Sequence, residues 1–169
     1  AAAAFSAVRL NIIRADVFTR ADHIVLDEFL VTEADQRSAS PEARLQEMAF
    51  LLEGALSEPP RFASVWACSR HKYLARPSSV APRITLDDHT SLDSTLVHVV
   101  AADRLGLLYD LLQAVADAGL NIKQALIETE GNLARDTIHV TDERGRKLSD
   151  PAQLEGLRAQ LEAALAIPD

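Results

Sequence analysis

Cysteine is nearly missing from this chain of 169 residues: Cys68 stands alone, so no intrachain disulfide can form. Basic residues are also short. Lys and Arg number 17 against 25 Asp and Glu, giving a formal net charge of -8. That balance speaks against a nucleic-acid partner, whose phosphates need a basic face. No apolar run approaches the ~20 residues of a membrane helix, so no membrane partner is expected. Ala1-Ala2-Ala3-Ala4 has neither a basic flank nor a cleavage pattern and is not read as a signal peptide. There is no Gly-rich phosphate loop, no Ser nucleophile elbow and no zinc signature. The chain starts without Met, which reads as a fragment or a processed form. What remains is an ordinary globular composition, 48% hydrophobic and 25% charged, suited to a cytoplasmic protein.

The strongest positive feature is an internal repeat. Leu10-Asn11-Ile12 matches Leu120-Asn121-Ile122, 110 positions later. Asp27-Glu28-Phe29-Leu30-Val31-Thr32 matches Asp136-Thr137-Ile138-His139-Val140-Thr141, and Ser40-Pro41 matches Asp150-Pro151 as a helix start. One unit is used twice. The expected organisation is a first unit over residues 1–74, a linker over 75–82 and a second unit over 83–169.

The second unit is the easier to read. Residues 95–102 are a β-branched apolar run of strand length. Asp103-Arg104-Leu105-Gly106 breaks it, and Leu107, Leu108, Leu111, Leu112, Val115 and Ala118 then recur at helical spacing. Gly119 suits the left-handed position past a helix. Residues 121–129 and 133–141 form a hairpin around Glu130-Gly131-Asn132. Asp150 and Pro151 open a helix with Leu154, Leu157, Leu161 and Leu165 on one stripe. Strand, helix, strand, strand, helix is a split βαβ, ferredoxin-like order lacking its last strand. Residues 83–86 offer a substitute, pairing with the first strand through the polar loop 87–94. The expected class is α+β, two antiparallel sheets each with two helices on one face.

The first unit begins inside its first helix. Residues 1–9 cover what 110–119 cover later. Its hairpin spans residues 11–19 and 24–32, and its last helix spans 42–56 with Leu45, Met48, Ala49 and Leu52 on one face. Its opening strand is missing from the chain. Residues 61–67, which alternate like a strand, are the nearest candidate to fill that slot.

Asp87, Asp88, His89 and Asp93 gather in one loop and could hold a cation, but a solvated polar turn explains them better, and no metal or cofactor is expected. His71, His98 and His139 show no metal spacing. Cys68 beside Trp66 reads as core packing.

Three stretches resemble the ACT domain, a small ferredoxin-like module that binds amino acids and regulates enzymes. They are Ala101-Ala102-Asp103-Arg104-Leu105-Gly106-Leu107-Leu108, then Ala118-Gly119-Leu120-Asn121-Ile122, and the run from Asp136-Thr137-Ile138 to Arg146-Lys147-Leu148. The third is similar to the tandem ACT region of bacterial PII-protein uridylyltransferases and to plant proteins made of ACT repeats. Leu105 departs from the family's usual Pro. The resemblance implies an amino-acid site at Asp103, Leu105, Gly106 and Leu107, with Asn121 and Ile122 from the following strand and Asn11 and Ile12 as their repeat counterparts. Asp103 could meet an ammonium group, Gly106 allows close approach, and helix N–H groups suit a carboxylate. It also implies allosteric control and a homodimer or a pseudo-symmetric domain pair. Three readings stay open: an amino-acid-sensing regulatory module with glutamine as a suggested ligand, the tail of a uridylyltransferase whose catalytic domains lie elsewhere, and a pairing module without ligand.

Overall fold

The computed structural model describes residues 4–5, 10–19, 24–33, 41–57, 80–104 and 106–166. In chain order the elements are β1 (Leu10–Thr19), β2 (Val25–Glu33), α1 (Pro41–Ser57), β3 (Arg83–Asp87), β4 (Thr95–Ala102), α2 (Leu107–Asp117), β5 (Asn121–Glu130), β6 (Leu133–Thr141) and α3 (Pro151–Leu165). The strands form a six-stranded sheet in the order β2-β1-β5-β6-β4-β3, antiparallel at every pairing. Its last four strands follow the ferredoxin-like order, with β3 in the place of the strand that would otherwise close the unit. Ile84 sits opposite Val99 and Leu86 opposite Val97, so the short upstream strand completes the edge as its alternation implied.

One face of the sheet is apolar. Val97, Val99, Ala101, Ala125, Ile127, Ala134, Ile138 and Val140 alternate onto it and are buried. Leu107, Leu111 and Val115 of α2 and Leu157, Leu161 and Leu165 of α3 cover it. Burying each such side chain contributes roughly 1.5–3 kcal/mol. α3 starts as read: the Asp150 carboxylate accepts the Ala152 N–H at 2.9 Å, with Pro151 in the first turn. Gly119 lies at φ 71, the left-handed turn that sends the chain from α2 into β5.

The two halves do not form separate sheets. β1 pairs directly with β5, which satisfies an edge that each would otherwise leave open. In this pairing Asp16 faces Leu126, its own repeat counterpart 110 positions on. Ala15 faces Ile127, and Val17 faces Ala125, the same small–large pair with the halves exchanged. The register is therefore that of a local two-fold axis through the Asp16–Leu126 pair.

In the first half, Ala4 and Phe5 are helical and buried, and the Phe5 and Phe29 rings lie 4.7 Å apart. Met48 and Leu51 of α1 pack against the core. Leu45 and Ala49 are exposed, so the buried stripe of α1 is rotated from the one expected. Apolar residues surround this helix, with Phe50 75% exposed, and periodicity alone could not select the buried face. Residues 61–67, Trp66 and Cys68 lie outside the described residues.

Candidate functional site

A cavity of about 20 Å³, room for one water molecule, opens where β1 meets the end of β4 and the start of α2. Its walls come from both halves: Leu10, Asn11 and Ile12 on one side, Asp103, Gly106 and Leu107 on the other. The Asn11 side-chain amide donates to Asp103 Oδ2 at 3.0 Å across the seam. Thr129 Oγ1 donates to the Ile12 carbonyl at 3.3 Å, tying β5 to the same stretch of β1.

The loop between β4 and α2 is fixed from three directions. The Asp103 N–H donates to the Asn132 carbonyl at 2.8 Å. Arg104 forms an ion pair with Asp110 at 2.7 Å and donates to the Ala164 carbonyl at 2.8 Å, joining the loop to α2 and α3. Gly106 takes φ 83 at the helix N-cap, a left-handed position that disfavours any Cβ. Gly106, Leu107 and Leu108 line the cavity, so the positive dipole end of α2, which no side chain caps, lies at its wall.

Asp136 lines the same cavity. It lies on the apolar face of β6, 3% exposed, between Ile127 and Val99, and its Oδ1 has no hydrogen-bond partner among the described residues. Burial raises its pKa to about 7, helped by the negative charge of Asp103. Burial also raises the Asp103 pKa, while the Asn11 hydrogen bond opposes that rise.

Five of the residues expected at the site thus meet: Asn11, Ile12, Asp103, Gly106 and Leu107. Leu105 lies outside the described residues. Asn121 and Ile122 do not belong to this cavity. The Asn121 amide donates to the Asp142 carbonyl at 3.2 Å in an exposed turn. The reason is helix length: the 11 residues of α2 advance about 16 Å, so β5 starts at the far end of the helix from Gly106. Arg104, Thr129 and Asp136 went unrecognised. Asp136 was detectable, because it falls in phase with Ala134, Ile138 and Val140 where a strand should be apolar.

The acidic loop 87–94 is internally satisfied. Asp87 accepts the His89 and Thr90 N–H groups and the Thr90 hydroxyl, which hold its carboxyl down to about 2. Lys123 pairs with Asp93, and Ser94 Oγ lies 3.0 Å from His139 Nδ1. A larger open hollow of about 430 Å³ runs between α2 and α3 past Asp110, Gln113, Asp117 and Gln160.

An antiparallel α+β sheet with helices over its apolar face, and a Gly-entered helix beside the end of its first long strand, is the architecture of an ACT-type regulatory domain. Residues 90–166 match the ACR family N-terminal ACT domain. The chain is similar to bifunctional uridylyltransferase/uridylyl-removing enzymes: 29% identical over 165 residues to that of Bradyrhizobium diazoefficiens, 98% of this chain and 18% of the relative. The Azospirillum brasilense enzyme is 32% identical over 170 residues, 99% of this chain and 18% of the relative. The Caulobacter vibrioides enzyme is 35% identical over 172 residues, 97% of this chain and 18% of the relative. The chain thus spans less than a fifth of the length of these relatives. Among the described residues, no helix is long and apolar enough to cross a membrane.

Proposed function

We propose that this chain is a regulatory module of two ACT units, residues 1–74 and 83–169 joined by 75–82, that binds a free amino acid at the seam between them. The observation that carries this reading is the Asn11–Asp103 hydrogen bond beside the α2 N-terminus. It couples a strand of one unit to the ligand-loop position of the other. The helix end suits an α-carboxylate, and the carboxylates of Asp103 and Asp136 suit an α-ammonium group. The pseudo-two-fold register supports a domain pair in which each unit completes the other's sheet.

Similarity to the uridylyltransferase/uridylyl-removing enzymes supports a place within a longer enzyme, and the resemblance to the tandem ACT region of PII-protein uridylyltransferases extends the proposal to the end of a cytoplasmic enzyme acting on a PII-type protein, with glutamine as the ligand. Binding would change the fit of the two units and so the linked catalytic domains. Paired copies of the chain are part of this proposal.

The test is a thermal-shift screen of the chain against the twenty amino acids, followed by calorimetry. A ligand at ~100 times its dissociation constant should add ~2.7 kcal/mol of stability. A flat response to all twenty refutes the sensing function and leaves the pairing module, which the continuous β1–β5 ladder favours.

A further inference from the structure

The geometry points to Asp136 as the residue that receives the ligand's cationic nitrogen, making the site selective for compounds with a primary ammonium group. This assignment rests on the amino-acid-binding function and adds to it a recognition residue on β6, beneath the loop.

Asp136 is a carboxylate on the buried face of a central strand, with apolar Val99 and Ile127 as its cross-strand neighbours. It lines the cavity, and its Oδ1 is buried without a partner among the described residues. A buried acceptor in that state is costly unless something fills the site. Asp103 places a second acidic group at the same cavity, and burial keeps both carboxyls harder to ionise than usual. Arg104 is the lining cation, but its guanidinium is engaged by Asp110 and the Ala164 carbonyl. Val99 and Ile127 face Asp136 across the strands, and Asn11 and Thr129 line the same cavity; none of these side chains titrates. The cavity therefore combines two acidic groups with no free positive charge among its described lining residues.

Size argues the same way. Room for one water is room for one ammonium group, while the carbon skeleton and carboxylate stay at the mouth near the first turn of α2. The repeat sets Asp136 apart from its counterpart in the first half. Asp27 faces Val17 across β2 and β1, as Asp136 faces Ile127 across β6 and β5, and Val17 and Ile127 are repeat counterparts. The two acids share a strand position but not an environment: Asp27 is exposed, whereas Asp136 is buried under the helices.

The test uses the whole chain, wild type and Asp136→Asn, with Asp136→Ser as a second variant and circular dichroism to confirm folding. Calorimetry measures the tightest of the twenty amino acids, its des-amino acid, ammonium chloride and potassium chloride. Asp136→Asn is expected to weaken the amino acid on the order of ten- to a hundredfold. The des-amino acid should bind both proteins alike and weakly. At pH 6.5, titrations in buffers of different ionisation enthalpy should show proton release on binding to wild type and none with Asp136→Asn. Stabilisation by ammonium chloride that potassium chloride does not reproduce, and that Asp136→Asn abolishes, identifies the free ion as a second source of the same group. An amino acid that binds, weakens with Asn11→Ala and ignores Asp136→Asn overturns this assignment alone. Equal binding of the des-amino acid, or equal stabilisation by potassium, also overturns it. No binding by any amino acid or by ammonium overturns this assignment and the sensing function together.

Discussion

Arg104→Met should destabilise the chain far more than an ordinary surface substitution. Arg104 and Asp110 are 2.7 Å apart, with side chains only 11% and 12% exposed. The same guanidinium donates to the Ala164 carbonyl at 2.8 Å. Exposed ion pairs contribute about 0–1 kcal/mol, but removing one partner of a buried pair costs about 3–5 kcal/mol, because the other charge stays behind. The larger range applies here, since solvent screens little of this contact. For a chain of this size about 2–4 °C of Tm corresponds to 1 kcal/mol, so Tm should fall by about 6–20 °C. Urea unfolding of wild type, Arg104→Met, Asp110→Leu and the double variant gives the coupling energy directly. The double variant should recover much of the loss, since an apolar pair of similar volume can replace a buried ion pair. A single-variant cost below about 1 kcal/mol, or strictly additive losses, would refute the argument that this pair pins the ligand loop.

Three further outcomes follow from the site. Asn11→Ala should weaken amino-acid binding by about 1–3 kcal/mol by calorimetry, because Asp103 loses its donor, whereas Asn121→Ala should leave affinity within about twofold. Gly106→Val should both lower stability by at least about 1–2 kcal/mol, for a β-branched residue at φ 83, and block the ligand, as chemical unfolding and titration of the folded fraction would show. Asp136 binds its proton more tightly in the fold, with a pKa of about 7 against an ordinary 3.8, so its contribution to stability is full below about pH 4 and lost as pH rises to about 7. Asp136→Asn should flatten that part of the profile and be the more stable protein at pH 8; a wild-type profile parallel to the variant's would contradict it.

The second half of the chain was legible because its signals are local. The apolar run of β4, the stripe of α2, the Gly131 turn and the Asp150 cap each lie within a few residues of what they specify. The bond between Asn11 and Asp103 joins residues 92 positions apart and depends on β1 finding β5. Nothing near Asn11 encodes that register; it follows from which sheet edges need partners. Asn121 was placed at the site because it follows α2 in sequence, but a straight helix separates its two ends. The α1 face was misjudged for want of contrast, since Leu45, Met48, Leu51 and Phe50 point in several directions. Asp136 is the opposite case: one acid that breaks the apolar alternation of a strand is a local signal, present in the sequence but not read there as a site.

The β1–β5 pairing also fixes an order of events during synthesis. The strand that completes β1 emerges about 110 residues after it. At 5–20 residues per second, that is a delay of roughly 5–20 s. Until then β1 offers a bare hydrogen-bonding edge, and β2 carries Val25, Leu26 and Leu30, each more than half exposed even in the finished fold. The nascent first half is therefore a template for any extended chain that reaches it before β5 does. Neighbouring ribosomes on one message present identical copies of that edge, so β1 of one chain pairing with β5 of another is the misassembly to which this topology is most open.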